Sequence, residues 1–181
     1  KEIQVDGARR WPVMLTREQF RRVTGAVEFP DWTTNQLEYF CNNTVQYRLR
    51  GRHVKLVTRW EFEAPPGGKD TELAVFRGSR SRVEVRQGAE EKFVPEVYVF
   101  PSAAERREVG ENLRRRVAQL AGKYEGLAIE ELPDRFHLRI PEKLRVGHEA
   151  HFALLINQFL GYVRDPKSLP AWEKACMLAK Y

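Results

Sequence analysis

Alternating apolar and polar positions run through the middle of this chain and give way to helical spacing toward its end. Over 45–50, Val45, Tyr47 and Leu49 share one face while Gln46, Arg48 and Arg50 share the other, the period of two expected of a half-buried strand. Gly51-Arg52 turns the chain into a second strand over 54–62, with Val54, Leu56, Thr58, Trp60 and Phe62 toward the core. Pro65-Pro66-Gly67-Gly68 ends it in a loop. Residues 72–77, apolar on both faces at Leu73-Ala74-Val75-Phe76, read as a central strand. Gly78-Ser79 leads into a strand over 82–86, and 96–100 forms a fifth between Pro95 and Pro101. Short loops between the five imply a mostly antiparallel sheet.

Helical signals flank this run. Thr16 and Gln19 stand at capping-box spacing, Phe20 and Val23 supply an apolar face, and Gly25 is a C-terminal stop. Residues 1–15 show no period and read as irregular, and 30–36 read as turn-rich, with Asp31 and Asn35 as local hydrogen-bonding residues. Val109, Leu113, Val117 and Leu120 define a helix closed by Gly122. A short segment over 127–132 and a strand over 136–140 follow. The strongest helix covers 148–163, with Phe152, Leu155, Ile156, Phe159 and Val163 on one side. Ser168 is read as the cap of a terminal helix running through Trp172 and Ala175 to Tyr181. Helices before and after a set of strands predict an α+β fold: one open-faced, mostly antiparallel mixed sheet with helices packed on one face, in a single domain over 1–181.

Composition narrows the class. With 42% hydrophobic and 11% aromatic residues, the 181-residue chain is not of disordered type. No apolar run approaches the ~18 residues of a spanning helix, so no membrane contact is expected. The chain opens on Lys1 without a charged and then apolar leader, which suggests a processed or excised piece with no signal peptide. The net charge is +6, but the signs are interspersed and the longest basic run is Arg114-Arg115-Arg116. That pattern favours a solvated surface over a nucleic-acid footprint. Cys41 and Cys176 form no CxxC pair and lie beside Phe40 and Met177, reading as buried thiols of a reducing, cytoplasmic compartment. Asn42-Asn43-Thr44 is formally a glycosylation sequon, of no consequence without secretion.

The densest chemistry lies in Gly147-His148-Glu149-Ala150-His151-Phe152. His148 and His151 are three apart, whereas the zinc-protease pattern HExxH needs four, and no third ligand is near, so no metal is assigned. His148, Glu149 and His151 are either an ordinary helix start, with Glu149 favourable to the dipole, or the lining of a polar ligand pocket. His53 and Trp60 are further candidates for a cleft. Arg48, Arg50 and Arg52 form a cationic stripe, best read as an exposed sheet face. No P-loop, GxSxG elbow or GxGxxG turn is present, so no catalytic residue and no cofactor-binding residue is assigned within the chain.

Several segments carry a resemblance, in order and spacing: Arg10-Trp11-Pro12 with Leu15-Thr16, Leu49-Arg50-Gly51 with His53-Val54-Lys55-Leu56, Ala74-Val75-Phe76-Arg77-Gly78, Val83-Glu84-Val85-Arg86-Gln87-Gly88, and Gly147 to Phe152. Together they resemble the C-terminal domain of oxidoreductases of the glucose–fructose oxidoreductase and inositol dehydrogenase (Gfo/Idh/MocA) family, in a bacterial subgroup. The resemblance implies a parent enzyme whose N-terminal Rossmann domain, absent from this chain, binds NAD or NADP. It implies a C-terminal half that covers a small sugar-like or cyclitol substrate and forms a homo-oligomer through its sheet. Hydride transfer there is assisted by a Lys or His. The family's Glu-Lys-Pro motif is missing, since Glu142-Lys143 precedes Leu144 and Glu91-Lys92 precedes Phe93, and its Asp-x-x-x-His pair is not found before the sheet. The chain is thus expected to be inactive in isolation, with the catalytic residues upstream. The alternative is a stand-alone ligand- or nucleic-acid-binding module using the Arg-rich sheet face.

Overall fold

The computed structural model describes residues 3–30 and 35–174. The chain divides into two compact units, Lys1–Asp70 and Thr71–Tyr181. Among the described residues every strand pairing is antiparallel, and the class is α+β as predicted.

The first unit contains β1 (Ile3–Thr16), α1 (Arg17–Thr24), β2 (Gln36–Leu49) and β3 (Arg52–Thr58), with its three strands in the order β1-β2-β3. The capping box forms as read: the Gln19 N–H donates to Thr16 Oγ1 at 3.2 Å, and the Thr16 N–H donates to Gln19 Oε1 at 2.9 Å. Gly25, at φ 70°, ends α1 by donating its N–H to the Arg21 carbonyl. Behind the helix, Leu15 is buried and Phe20 meets Phe29 edge-on at 5.3 Å.

The opening stretch, expected to be irregular, is a fourteen-residue strand. Its alternation shifts twice, at bulges between Val5 and Gly7 and between Trp11 and Val13, so no single period runs through it. Pro12, which cannot donate to a ladder, sits in the second bulge. The hairpin turn falls on Arg50-Gly51, both at positive φ, one residue earlier than read. β3 also ends at Thr58, short of the expected 62. The Trp60 N–H is instead taken by the Asn42 side chain, and Phe62 turns to φ 69°. Leu56, assigned to the core face, is 53% exposed because β3 is an edge strand. Residues 31–34, which include Asp31, lie outside the description.

The second unit holds β4 (Glu72–Arg77), β5 (Ser81–Gln87), β6 (Glu96–Pro101), α2 (Arg106–Leu120), β7 (Ala128–Glu131), β8 (Phe136–Arg139) and α3 (His148–Arg164). Its strands lie in the order β4-β5-β6-β8-β7. The single sheet expected is therefore two, because β2 and β3 pair with β1 and the later strands pair among themselves. β4, expected at the centre, is an edge strand with Leu73 66% and Phe76 62% exposed. Its two-faced apolar character reflects surface left uncovered, not burial on both sides. Phe136 and Val99, register partners on β8 and β6, form the buried centre, and α2 lies on Phe136 at Gly110.

α3 starts and stops where its spacing predicts, yet it has no buried residue, and Ile156, Phe159 and Val163 are all more than half exposed. After it, Asp165 caps a short 3-10 turn by accepting the Lys167 N–H, and Ser168, read as the cap of a terminal helix, closes that turn with its hydroxyl donating to the Asp165 carbonyl at 2.7 Å. Residues 171–174 are helical, and 175–181, with Ala175 and Cys176, lie outside the description.

Candidate functional site

The residues singled out from sequence fall in both units. His148, Glu149 and His151 occupy the first turn of α3, which Gly147 caps without a side-chain bond. All three are exposed, and the His148 ring meets Phe152 edge-on at 4.8 Å. His53, on β3 of the other unit, is 81% exposed in its side chain, with Nδ1 3.9 Å from Asp6. Arg48, its register partner, donates to the other Asp6 oxygen at 3.0 and 3.1 Å. That ion pair breaks the expected cationic stripe of Arg48, Arg50 and Arg52.

Trp60 is half-buried against Tyr39 and Phe62 and helps line an apolar cavity of about 510 Å³ with Leu15, Phe20, Leu37 and Cys41. Cys41 is half-buried there. Among the described residues no three His, Cys, Asp or Glu side chains stand where they would hold a metal ion.

Two polar clusters escaped the sequence reading. On the second sheet, Glu84, Tyr98, His137 and Glu130 are successive register partners across four strands and share one face. Glu84 is 6% exposed and lies between Arg82 and Arg86; the Arg86 Nε donates to it at 2.7 Å. Burial alone would raise the Glu84 pKa, but the hydrogen bonds and charges of Arg86 and then Arg82 overcome it and hold the carboxyl below its ordinary value. His137 stacks on Tyr98 at 4.7 Å, with Nε2 2.9 Å from Glu96 and Nδ1 3.3 Å from Glu130. Arg145 donates to the other Glu96 oxygen at 2.6 Å. Here too burial works upward and the bonds from His137 and Arg145 win, so Glu96 is held low. These residues answer one another's charges and build a sheet brace.

The second cluster is a cleft of about 510 Å³ in the first unit, lined by Arg9, Trp11, Asn42, Thr44, Gln46, Arg59 and Glu61. Trp11 pairs with Asn42, Arg9 with Thr44 and Gly7 with Gln46, so the strand residues share one face of the β1–β2 ladder. Arg9 stands over the Trp11 ring at 5.7 Å. Asn42, only 5% exposed, accepts the Trp60 N–H at 2.6 Å through Oδ1. That bond fixes which way the amide faces, because only the oxygen accepts. The signal in sequence was the polar alternation of Asn42, Thr44 and Gln46, which lay partly outside the strand as read.

An α+β chain with two antiparallel sheets and a polar, donor-rich cleft is the class that fold and geometry define. The chain belongs to the family described as "Putative oxidoreductase C terminal domain", whose model matches residues 1–181. It is similar to the crystal structure of a putative oxidoreductase from Parabacteroides merdae, with 33% identity and a TM-score of 0.91. The match covers all of this chain and 43% of that one, so this chain spans less than half of its solved relative. No curated protein matches it. Among the described residues no helix is long and apolar enough to cross a membrane.

Proposed function

We propose that this chain is the substrate-side and oligomerisation domain of a nicotinamide-dependent oxidoreductase of the glucose–fructose oxidoreductase and inositol dehydrogenase type, acting on a sugar or cyclitol in a bacterial cytoplasm. The observation that carries the reading is the family match over the whole chain, joined to a solved relative more than twice as long. The remainder of such a protein has room for the Rossmann domain that would bind NAD or NADP. This chain's part would be to hold the substrate carbon against the nicotinamide and exclude water, the positioning share of hydride transfer. His148, Glu149 and His151 in the second unit and, separately, His53 and Trp60 in the first are the candidate substrate contacts proposed. Self-association would use the second sheet, where β4 leaves Leu73 and Phe76 open to a partner.

The test is a nicotinamide assay on the full-length protein over a panel of sugars and cyclitols, beside titration of the 181-residue chain with NADH and NADPH. Turnover by the former and no dinucleotide binding by the latter are expected. A full-length protein that reduces neither nicotinamide with any polyol overturns the reading, and micromolar dinucleotide binding by the chain alone overturns the division of labour.

A further inference from the structure

We propose that the cleft of the first unit binds a small hydroxycarboxylate, an organic acid carrying its charge and several hydroxyls on one compact frame. The argument begins at Asn42. Its Oδ1 is committed to the Trp60 N–H, so its Nδ2 amide is a donor, and it has no partner among the described residues. Asn42 lines the cleft wall, so this donor is open to an acceptor that a ligand brings.

The surrounding groups say what kind of acceptor. Neither Arg9 nor Arg59 forms an ion pair among the described residues, although ion pairs occupy many of the chain's other arginines. Arg9 is held over the Trp11 indole, which restrains its guanidinium before any ligand arrives and lowers the ordering cost of binding. Two unpaired guanidiniums beside a buried amide donor form a site for a carboxylate, whose two oxygens match the planar fork.

Glu61 refines the class. It lines the same cleft and has no ion-pair partner there, so a compact polyanion such as phosphate would meet a like charge. A ligand with one carboxylate and several hydroxyls suits both ends, its hydroxyls donating to Glu61 and exchanging hydrogen bonds with Thr44 and Gln46. The Trp11 ring offers a flat apolar wall for the carbon frame. A volume of about 510 Å³ is in the range of small-molecule sites.

The experiment is calorimetry on the full-length protein with glucuronate and gluconate as probes, against glucose and inorganic phosphate. Binding of the acids, at least tenfold tighter than of glucose or phosphate, is expected. Arg59→Gln and Arg9→Gln, both at exposed positions that leave the fold intact, should each weaken it at least tenfold. Asn42→Asp keeps an acceptor for the Trp60 N–H while removing the donor and adding a negative charge, and should abolish it. Equal binding of glucose removes the carboxylate from the assignment, and phosphate binding of equal strength reduces the cleft to a general anion site; either overturns the proposal. Binding unchanged in both arginine variants places the acid elsewhere and overturns it too. None of these outcomes depends on nicotinamide turnover, so this proposal and the oxidoreductase reading fail separately.

Discussion

Gly110 of α2 packs against Phe136 of β8: a methyl group on Gly110 would stand 2.8 Å from the Phe136 Cζ. Phe136 is 2% exposed and cannot swing aside. Glycine inside a helix costs about 1 kcal/mol relative to alanine, so Gly110→Ala would stabilise α2 were it isolated. In this packing the overlap dominates, and a net loss of about 1–3 kcal/mol is expected. Denaturant midpoints at unchanged slope measure it. Recovery on adding Phe136→Leu would show the loss to be steric, whereas a stabilised single variant would mean that α2 does not sit on Phe136.

Acid should weaken the second unit through two carboxylates. Glu84 and Glu96 are both held below the ordinary 4.5, burial being outweighed by Arg86 and Arg82 in one case and by His137 and Arg145 in the other. A depressed folded pKa gives stability that is present above the unfolded value and lost as pH falls toward the folded one. Melting temperature should therefore drop as pH falls below about 4.5. Glu84→Gln should flatten part of that drop while lowering stability at neutral pH, since it leaves Arg82 and Arg86 without their shared carboxylate. A melting curve with the same acid slope in the variant would contradict the assignment.

His137 joins β6 to β7 across β8, because its two ring nitrogens face Glu96 and Glu130. Replacing it with alanine removes its contacts with both carboxylates and the stacking on Tyr98. A cost of about 2–3 kcal/mol is expected from the lost hydrogen bonds and burial. The more specific readout is hydrogen exchange: amides of β7 should exchange faster, while those of β1 and β2 should not change. Uniform acceleration would indicate general destabilisation, not a local brace.

Ile156 and Phe159 of α3 are 55% and 62% exposed. The double substitution Ile156→Ser/Phe159→Ser should shift the stability of the isolated chain by no more than about 0.5 kcal/mol, as surface changes do. It should also reduce binding of a hydrophobic dye, since these side chains form much of the exposed apolar surface of the helix. A loss of several kcal/mol would show the helix face to be packed.

Local features were legible along the chain wherever neighbours in sequence decide the outcome. The Thr16–Gln19 cap and the Gly25 stop of α1, the strands around Val83 and Tyr98, and both ends of α3 follow from residues within a few positions of one another. β1 was hidden because its two bulges break the only signal that marks a strand. Of the proposed substrate contacts, the three on α3 were visible as a cluster, whereas the Arg9–Asn42–Arg59 cleft joins positions up to fifty apart. Asn42 looks like any polar strand residue until its bond to Trp60 is seen.

The amino-acid sequence by itself determined the α+β class, the antiparallel sense of the strands and the periods of the helices, because period and capping are short-range properties. Only the tertiary structure decided which strands share a sheet, that β4 is an edge, and that the apolar stripe of α3 faces outward. Periodicity tells which side of an element is apolar, but what covers that side is set by pairings between distant segments. The buried carboxylates and the donor-rich cleft depend on the same long-range pairings.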